Sequence, residues 1–354
     1  MKNWLIPLSI FLLFLLSILT LMSIAPALAP KQLIFFIVGF AIFFLVSKIQ
    51  FNRILKLGTL MYLLNIAFLI VVLVLAPITR GSARWIDVGG LFSIQPSQLA
   101  IPTSALFLIN YFSKKSLTKF KNLINFIFLA LIPGILILIE PDLGTTLVFI
   151  TSVSIIIFLS ETKLKHTIPL VVISLLIATF SWFFVLHQYQ KDRVISFISP
   201  SDTQGTSYNA IQSIIAVGSG NLSGKGIGQG IQSHLRFLPE RQTDFIFASF
   251  AEEFGFIGSL VLIFLYLTLI LTTISTANKS NEQTEKLFCN VIVVMTTMQI
   301  GVNIGMNIGI LPITGITLPF MSYGGSSIIS LMLMFGVIQT IRLNQKQKST
   351  LHIS

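Results

Sequence analysis

Glu240, Arg241, Asp244, Glu252 and Glu253 fall within 14 residues of a chain that otherwise avoids charge. They sit where a polar loop, Leu238-Pro-Glu-Arg-Gln-Thr-Asp244, runs straight into the apolar Phe245-Ile-Phe-Ala-Ser-Phe-Ala. Asp244 stands at that junction. Apolar neighbours desolvate a carboxylate and raise its pKa, while the loop side leaves it reachable by protons. A carboxylate poised in this way can serve as a general base. Glu252 and Glu253 lie seven or more residues into the apolar run. An acid near the centre of a membrane span costs roughly 2.5–3.5 kcal/mol, so this pair is expected either to lock the bundle by pairing with cations or to join the chemistry.

Other motifs offer further groups. Gly218-Ser-Gly-Asn-Leu-Ser-Gly-Lys225-Gly-Ile-Gly-Gln-Gly230 carries six glycines in 13 residues. No strand precedes it and no Ser or Thr follows Gly-Lys, so it is not a P-loop. It reads as a loop whose backbone approaches something closely, either a plain turn or an anion cradle using freed amides and Lys225. Arg80-Gly-Ser-Ala-Arg84-Trp85 supplies two arginines and an interfacial tryptophan, followed by Gln95-Pro96-Ser97. In Glu140-Pro141-Asp142-Leu-Gly-Thr145, Asp142 suits a helix N-cap. The stretch from Gly305 to Ser327, which includes Ser322 and Tyr323, is rich in Gly and Pro. Irregular backbone at membrane depth is tolerated where protein or a water-filled cavity satisfies it, so this stretch is expected to line a cavity that opens outward.

The elements that position these groups follow from hydropathy. Only 35 of 354 residues are charged and 54% are hydrophobic, against about 25% charged in ordinary soluble domains. Apolar runs of about 20 residues, long enough to cross a bilayer core, recur near 4–25, 32–47, 58–78, 96–112, 123–139, 143–160, 167–187, 245–274, 287–307 and 325–341. They do not alternate as barrel strands do. The expected fold is therefore all-α: a polytopic membrane helix bundle of about ten transmembrane helices, a single integral membrane domain over 1–354. Residues 188–244 form one large connection between the seventh and eighth spans. A connection of that size is usually functional or disordered, and its apolar and Gly-rich motifs favour order. The first apolar run exceeds a signal-peptide core and reads as a retained span.

Fifteen of the 23 Lys and Arg fall on alternate connections and the two terminal segments, Lys2 included, which the positive-inside rule places in the cytoplasm together with both termini. The large 188–244 loop then faces out. A net charge of +11 does not mark a nucleic-acid binder here, because the basic residues are scattered through short loops with no basic domain. The single cysteine, Cys289, rules out an internal disulfide and a cysteine metal cluster.

Taken in order, these motifs resemble the SEDS family (shape, elongation, division and sporulation proteins) over essentially the whole chain. The stretch Gly230-Ile-Gln-Ser-His-Leu-Arg-Phe-Leu-Pro-Glu-Arg241 is most similar to the RodA branch. The resemblance implies a peptidoglycan glycosyltransferase that polymerises lipid II in the bacterial cytoplasmic membrane and works with a class B penicillin-binding protein. It implies that Asp244 is the essential aspartate. Arg84, Arg193, Lys225 and Arg241 are the outward cations available to a departing lipid pyrophosphate, and a divalent cation (Mg or Mn) would serve the same end. Glu240, Thr243, Glu252, Glu253, Asp142, Ser322 and Tyr323 would support them. Two positions depart from the family pattern. The usual Gln-Pro-Ser-Glu-x-x-Lys has Gln98 and Ile101 in its last two charged places, so acid and base are lost together, and a retained fold is expected. The usual His before Thr-Asp is Gln242, which removes a proton relay through that side chain. Two other readings compete: a flippase for lipid-linked precursors, which would need midplane polar groups reached from both sides, and a non-catalytic scaffold for a cell-wall synthase.

Overall fold

The computed structural model describes residues 3–75, 84–88, 92–160, 183, 188–198, 206–235 and 237–351. Its helices, in chain order, are α1 (Leu5–Ile24), α2 (Ala29–Ser47), α3 (Phe51–Leu75), α4 (Ser97–Phe112), α5 (Phe120–Ile139), α6 (Leu143–Phe158), α7 (Gln188–Ile198), α8 (Thr206–Ser219), α9 (Ile231–His234), α10 (Ile246–Lys279), α11 (Gln283–Asn307) and α12 (Gly325–Leu351). Nine of the ten expected spans coincide with a helix. Among the described residues, seven helices (α1, α2, α3, α5, α10, α11 and α12) are long and apolar enough to cross a membrane, and the apolar α6 is shorter. The expected span over 167–187 lies outside the described residues, Phe183 aside. A short antiparallel hairpin, β1 (Ile86–Val88) and β2 (Phe92–Ile94), adds a feature that hydropathy did not signal. It sets Arg84 and Trp85 at one end and Gln95 at the other.

Lipid is as apolar as leucine, so helices in a bilayer associate through close packing of small residues. Gly58 of α3 sits on the backbone of α4, where an added Cβ would lie 2.8 Å from the carbonyl carbon of Leu106. Gly336 of α12 meets the Phe43 carbonyl of α2 in the same way, at 3.0 Å. Between these seams lies one continuous apolar core that includes Phe36, Phe43, Phe126, Phe288 and Phe335. Leu57, Leu60, Leu64, Phe128 and Phe264 face outward, as lipid-contacting residues must.

Helix α10 is broken at Gly255, whose backbone is left-handed (φ 67°, ψ −164°). A break at membrane depth strands backbone groups that must find partners, and the glycine-rich loop supplies them. Phe256 and Ile257 donate their amides to Asn221 O and Leu222 O at 2.9 and 3.1 Å, while Lys225 N and Gly226 N donate to Glu252 O and Glu253 O at 3.0 and 3.1 Å. Only glycine permits so close an approach. A Cβ on Gly224 would lie 2.1 Å from Glu253 O, and one on Gly255 would lie 2.2 Å from Gly224 N. The loop therefore cradles a helix break rather than an anion.

Gly255→Ala should cost at least about 1–3 kcal/mol, combining the unfavourable φ with a backbone clash. Gly218→Ala in α8, which meets nothing within 4 Å, should leave stability unchanged or slightly raised. Thermal denaturation of the detergent-solubilised protein reads both. Equal melting temperatures would show that the docked break does not stabilise the fold.

Candidate active site

The segment Gln242-Thr243-Asp244 ends the large loop, and each of its three carbonyls is caught. Tyr323 N donates to Gln242 O at 2.8 Å, and Ser322 Oγ donates to Thr243 O at 2.7 Å. Asn303 Nδ2 and Asn307 Nδ2, both from α11, donate to Asp244 O at 3.0 Å each. Asn303 also donates to Ile316 O at 2.7 Å. Asn307 Oδ1 accepts from Ala248 N at 3.1 Å, satisfying one of the free amides that open α10. Leu318 N donates to Ser322 Oγ at 2.8 Å, and the Tyr266 hydroxyl holds Pro319 O at 2.6 Å. The backbone under Asp244 is thus tied at once to α10, α11 and the irregular segment ahead of α12.

Asp244 faces a cavity of about 660 Å³. Arg84, Asp142, Arg193, Glu240, Thr243 and Tyr323 line it too, with Gln98, Ile101 and Gln299. Although part of its surface still meets the cavity, the Asp244 carboxyl lies deep between protein walls. That burial, aided by the nearby Glu240 carboxylate, pushes its pKa up to about 6, against the opposing pull of Arg193, the Thr243 hydrogen bond and Arg84. Gly315 sits between acid and arginine: a Cβ built there would lie 3.5 Å from Asp244 Oδ2 and 3.8 Å from an Arg193 guanidinium nitrogen.

Arg84 is fixed by the turn between α5 and α6. Its Nε donates to Glu140 O at 3.1 Å, a terminal nitrogen donates to Pro141 O, and another lies 3.6 Å from Asp142 Oδ1. Asp142 caps α6 by accepting from Thr145 N at 3.1 Å and accepts from Gln95 Nε2 at 3.0 Å. Arg193 reaches the cavity from α7 in the large loop.

Not every residue singled out in the sequence arrives here. Lys225 pairs with Glu252 at 3.4 Å, and Arg241 donates to Ile24 O at 3.1 Å; neither lines the cavity. The two acids of α10 hold the loop instead. Glu252 accepts from Gln232 N, Ser233 N and Ser233 Oγ at 3.0, 3.0 and 2.7 Å. Glu253 accepts from Ser23 Oγ and from Gly228 N at 3.2 Å, with His234 Nε2 at 3.1 Å. Their partners are loop groups and α1, not cations of another span. Among the described residues no three His, Cys, Asp or Glu side chains form a group that could hold a metal ion.

Four contributors escaped the sequence reading. Gln299, Asn303 and Asn307 recur every four residues, so they share one face of α11, and polar groups in an apolar helix carried the signal. Glu140 had only its turn to mark it. It is fully buried, and neither carboxyl oxygen has a hydrogen-bond partner among the described residues. Burial, reinforced by Asp142 and opposed by Arg84, raises its pKa to about 8.

The family model for the FtsW, RodA and SpoVE cell cycle proteins matches residues 3–347. The peptidoglycan glycosyltransferase MrdB of Escherichia coli (strain K12) is 37% identical over 291 residues, which cover 82% of this chain and 78% of that protein. Stage V sporulation protein E of Bacillus subtilis (strain 168) is 34% identical over 324 residues, covering 88% and 86%. Among solved structures, a chain from work on the structural coordination of polymerization and crosslinking by a peptidoglycan synthase complex superposes with a TM-score of 0.83. It is 26% identical and covers 97% of this chain and 98% of that one. A mutant of the rod shape determining protein RodA of Thermus thermophilus superposes with a TM-score of 0.73 at 25% identity, covering 97% of each chain.

Two outcomes follow from this geometry. Asn303→Ala orphans a bond to each of two buried carbonyls and should cost about 1–3 kcal/mol while lowering turnover more than substrate affinity. Unchanged melting and turnover would show that the asparagines do not hold Asp244. Glu140 binds its proton more tightly folded than unfolded, so its contribution is full below about pH 4.5 and declines as pH rises towards about 8. Glu140→Gln should therefore melt above wild type at pH 8 and nearer to it at pH 5; a gap that does not widen with pH would refute the buried, protonated acid.

Proposed function

This chain belongs to the family of the FtsW, RodA and SpoVE cell cycle proteins, and we propose that it is a peptidoglycan glycosyltransferase that polymerises lipid II for cell elongation and shape. The observation that carries this reading is one desolvated carboxylate, Asp244, held in a cavity that also contains two arginines. Joining sugars from a lipid pyrophosphate donor needs one base and a sink for negative charge. Asp244 removes the proton of the acceptor hydroxyl as its oxygen bonds to the anomeric carbon of the donor. The bond from that carbon to the pyrophosphate oxygen breaks, and its electron pair leaves with the lipid. Arg84 and Arg193 offset the charge that develops there, as fixed donors do most effectively in a water-poor site. A second carboxylate of the hydrolase kind is not required, because pyrophosphate is already a good leaving group. Asp142 serves by holding Arg84, and Glu240 and Thr243 tune the acid from either side.

Among the described residues no three His, Cys, Asp or Glu side chains cluster to hold a cation by themselves. A divalent ion used in the reaction would arrive on the substrate's pyrophosphate. The large loop and the cavity face the outside of the bacterial cytoplasmic membrane, with both termini in the cytoplasm, as the placement of Lys and Arg supports. A class B penicillin-binding protein is the proposed partner, supported by the fold shared with a chain of a peptidoglycan synthase complex.

Purified protein supplied with lipid II and a divalent cation should form glycan polymer. Asp244→Asn should reduce the rate by about a hundredfold to ten-thousandfold, the usual contribution of a positioned base. The base works only when ionised, so wild-type activity should climb as pH passes about 6 and level off above it. Polymer formation untouched by Asp244→Asn would sink the assignment. A wild type that makes no polymer even with its partner would favour the scaffold reading.

A further inference from the structure

The cavity is chemically divided. Its charge is gathered on Arg84, Asp142, Arg193, Glu240 and Asp244, which come from the loops and helix ends of the outer side. Its floor is formed where α4, α6 and α11 face one another, and it is neutral: Gln98 and Ile101 from α4, Val148 from α6 and Gln299 from α11. Along the polar face of α11, Asn303 and Asn307 are consumed by backbone carbonyls. Gln299, one turn deeper, is not. It is 7% exposed, and its buried Oε1 has no hydrogen-bond partner among the described residues. A buried amide left unpaired is costly, and the rare exceptions in folded proteins call for an explanation. Here the amide borders a cavity, so a ligand can supply the missing bond.

The floor also says what kind of ligand group fits. A carboxamide offers both a donor and an acceptor, and two of them stand beside two branched aliphatic side chains with no charge among them. A phosphate seated there would find no counter-charge, and a hydroxyl would leave Ile101 and Val148 unused. An acetamido group has one N–H, one carbonyl and one methyl, and it uses every part of the surface. We propose that Gln299, Gln98, Ile101 and Val148 form a subsite for the acetamido group of an amino sugar in the lipid-linked substrate. The amides bond its N–H and carbonyl, and the aliphatic pair packs on its methyl. The subsite rests on the glycosyltransferase reading and specifies which part of the sugar is recognised away from the reacting atoms. Gln299 is then a specificity residue rather than a catalytic one.

Binding tests the subsite without turnover. The full-length protein in detergent would be titrated with lipid II and with an analogue carrying hydroxyls in place of the acetamido groups. Wild type should bind the analogue about tenfold to a hundredfold more weakly, as expected when a built amide site loses its partner. Gln299→Met keeps the length of the side chain and removes its polarity. It should weaken lipid II binding by a similar factor and leave the analogue within about twofold. Should that variant fail to fold, as judged by its melting temperature, Gln98→Met on α4 gives the same cycle. Equal weakening of both ligands, or of neither, would overturn the subsite. Discrimination by a wild type that makes no polymer would remove the polymerase reading alone, whereas polymer from a wild type that does not discriminate would remove the subsite alone.

Discussion

The carbonyl of Asp244 accepts from two buried asparagine side chains at once, and this end of the bundle is arranged around that meeting. Water is not at hand at membrane depth to satisfy a stranded backbone group. The loop that delivers Asp244 must therefore be paired residue by residue as it enters the bundle. Tyr323, Ser322, Asn303 and Asn307 do this for three successive carbonyls. Because these donors come from α11 and from the segment ahead of α12, the acid cannot shift without disturbing both. A side chain whose backbone is held this way keeps its geometry without reorganising at the moment of reaction, which is the condition for efficient electrostatic catalysis.

The same constraint explains the second unusual element. Helix α10 is interrupted at Gly255, and the glycine-rich loop repairs the interruption with four backbone hydrogen bonds. The acids just ahead of the break, Glu252 and Glu253, bind loop amides, a serine and a histidine. They cost energy to bury, but their hydrogen bonds hold the loop on α10, the helix that follows Asp244. Breaking that network would leave buried carboxyl oxygens without partners, and an unsatisfied buried polar group is costly.

Charge within the cavity is ordered as well. The arginines and acids come from loops and helix ends, where water and a charged substrate group can reach them. The floor below is made of amides and aliphatics from α4, α6 and α11. Gln98 and Ile101, the positions where the family resemblance implies an acid and a base, belong to this pattern, since both line the neutral floor. One pocket thus offers a substrate two environments, one suited to a pyrophosphate and a transferred proton, the other to uncharged parts of a sugar.

Much of this was legible in the sequence. Runs of apolar residues located the helices because bilayer thickness sets their length, and nine of the ten expected spans coincide with helices. Asp244 stood out because its desolvation comes partly from its own neighbours, Phe245 and Ile246, and short-range effects survive in a linear reading. The hairpin carrying Arg84 did not, since its strands are three residues each and carry no periodic signal. Which cations share a cavity with Asp244 was decided only in three dimensions. Lys225 is nearer to it in sequence than Arg84 or Arg193, yet it turns away to Glu252, while the two arginines arrive from the start of the β hairpin and from α7. The choice depends on how a loop docks on a broken helix, and the energy of that docking is spread over backbone contacts between residues far apart in the chain.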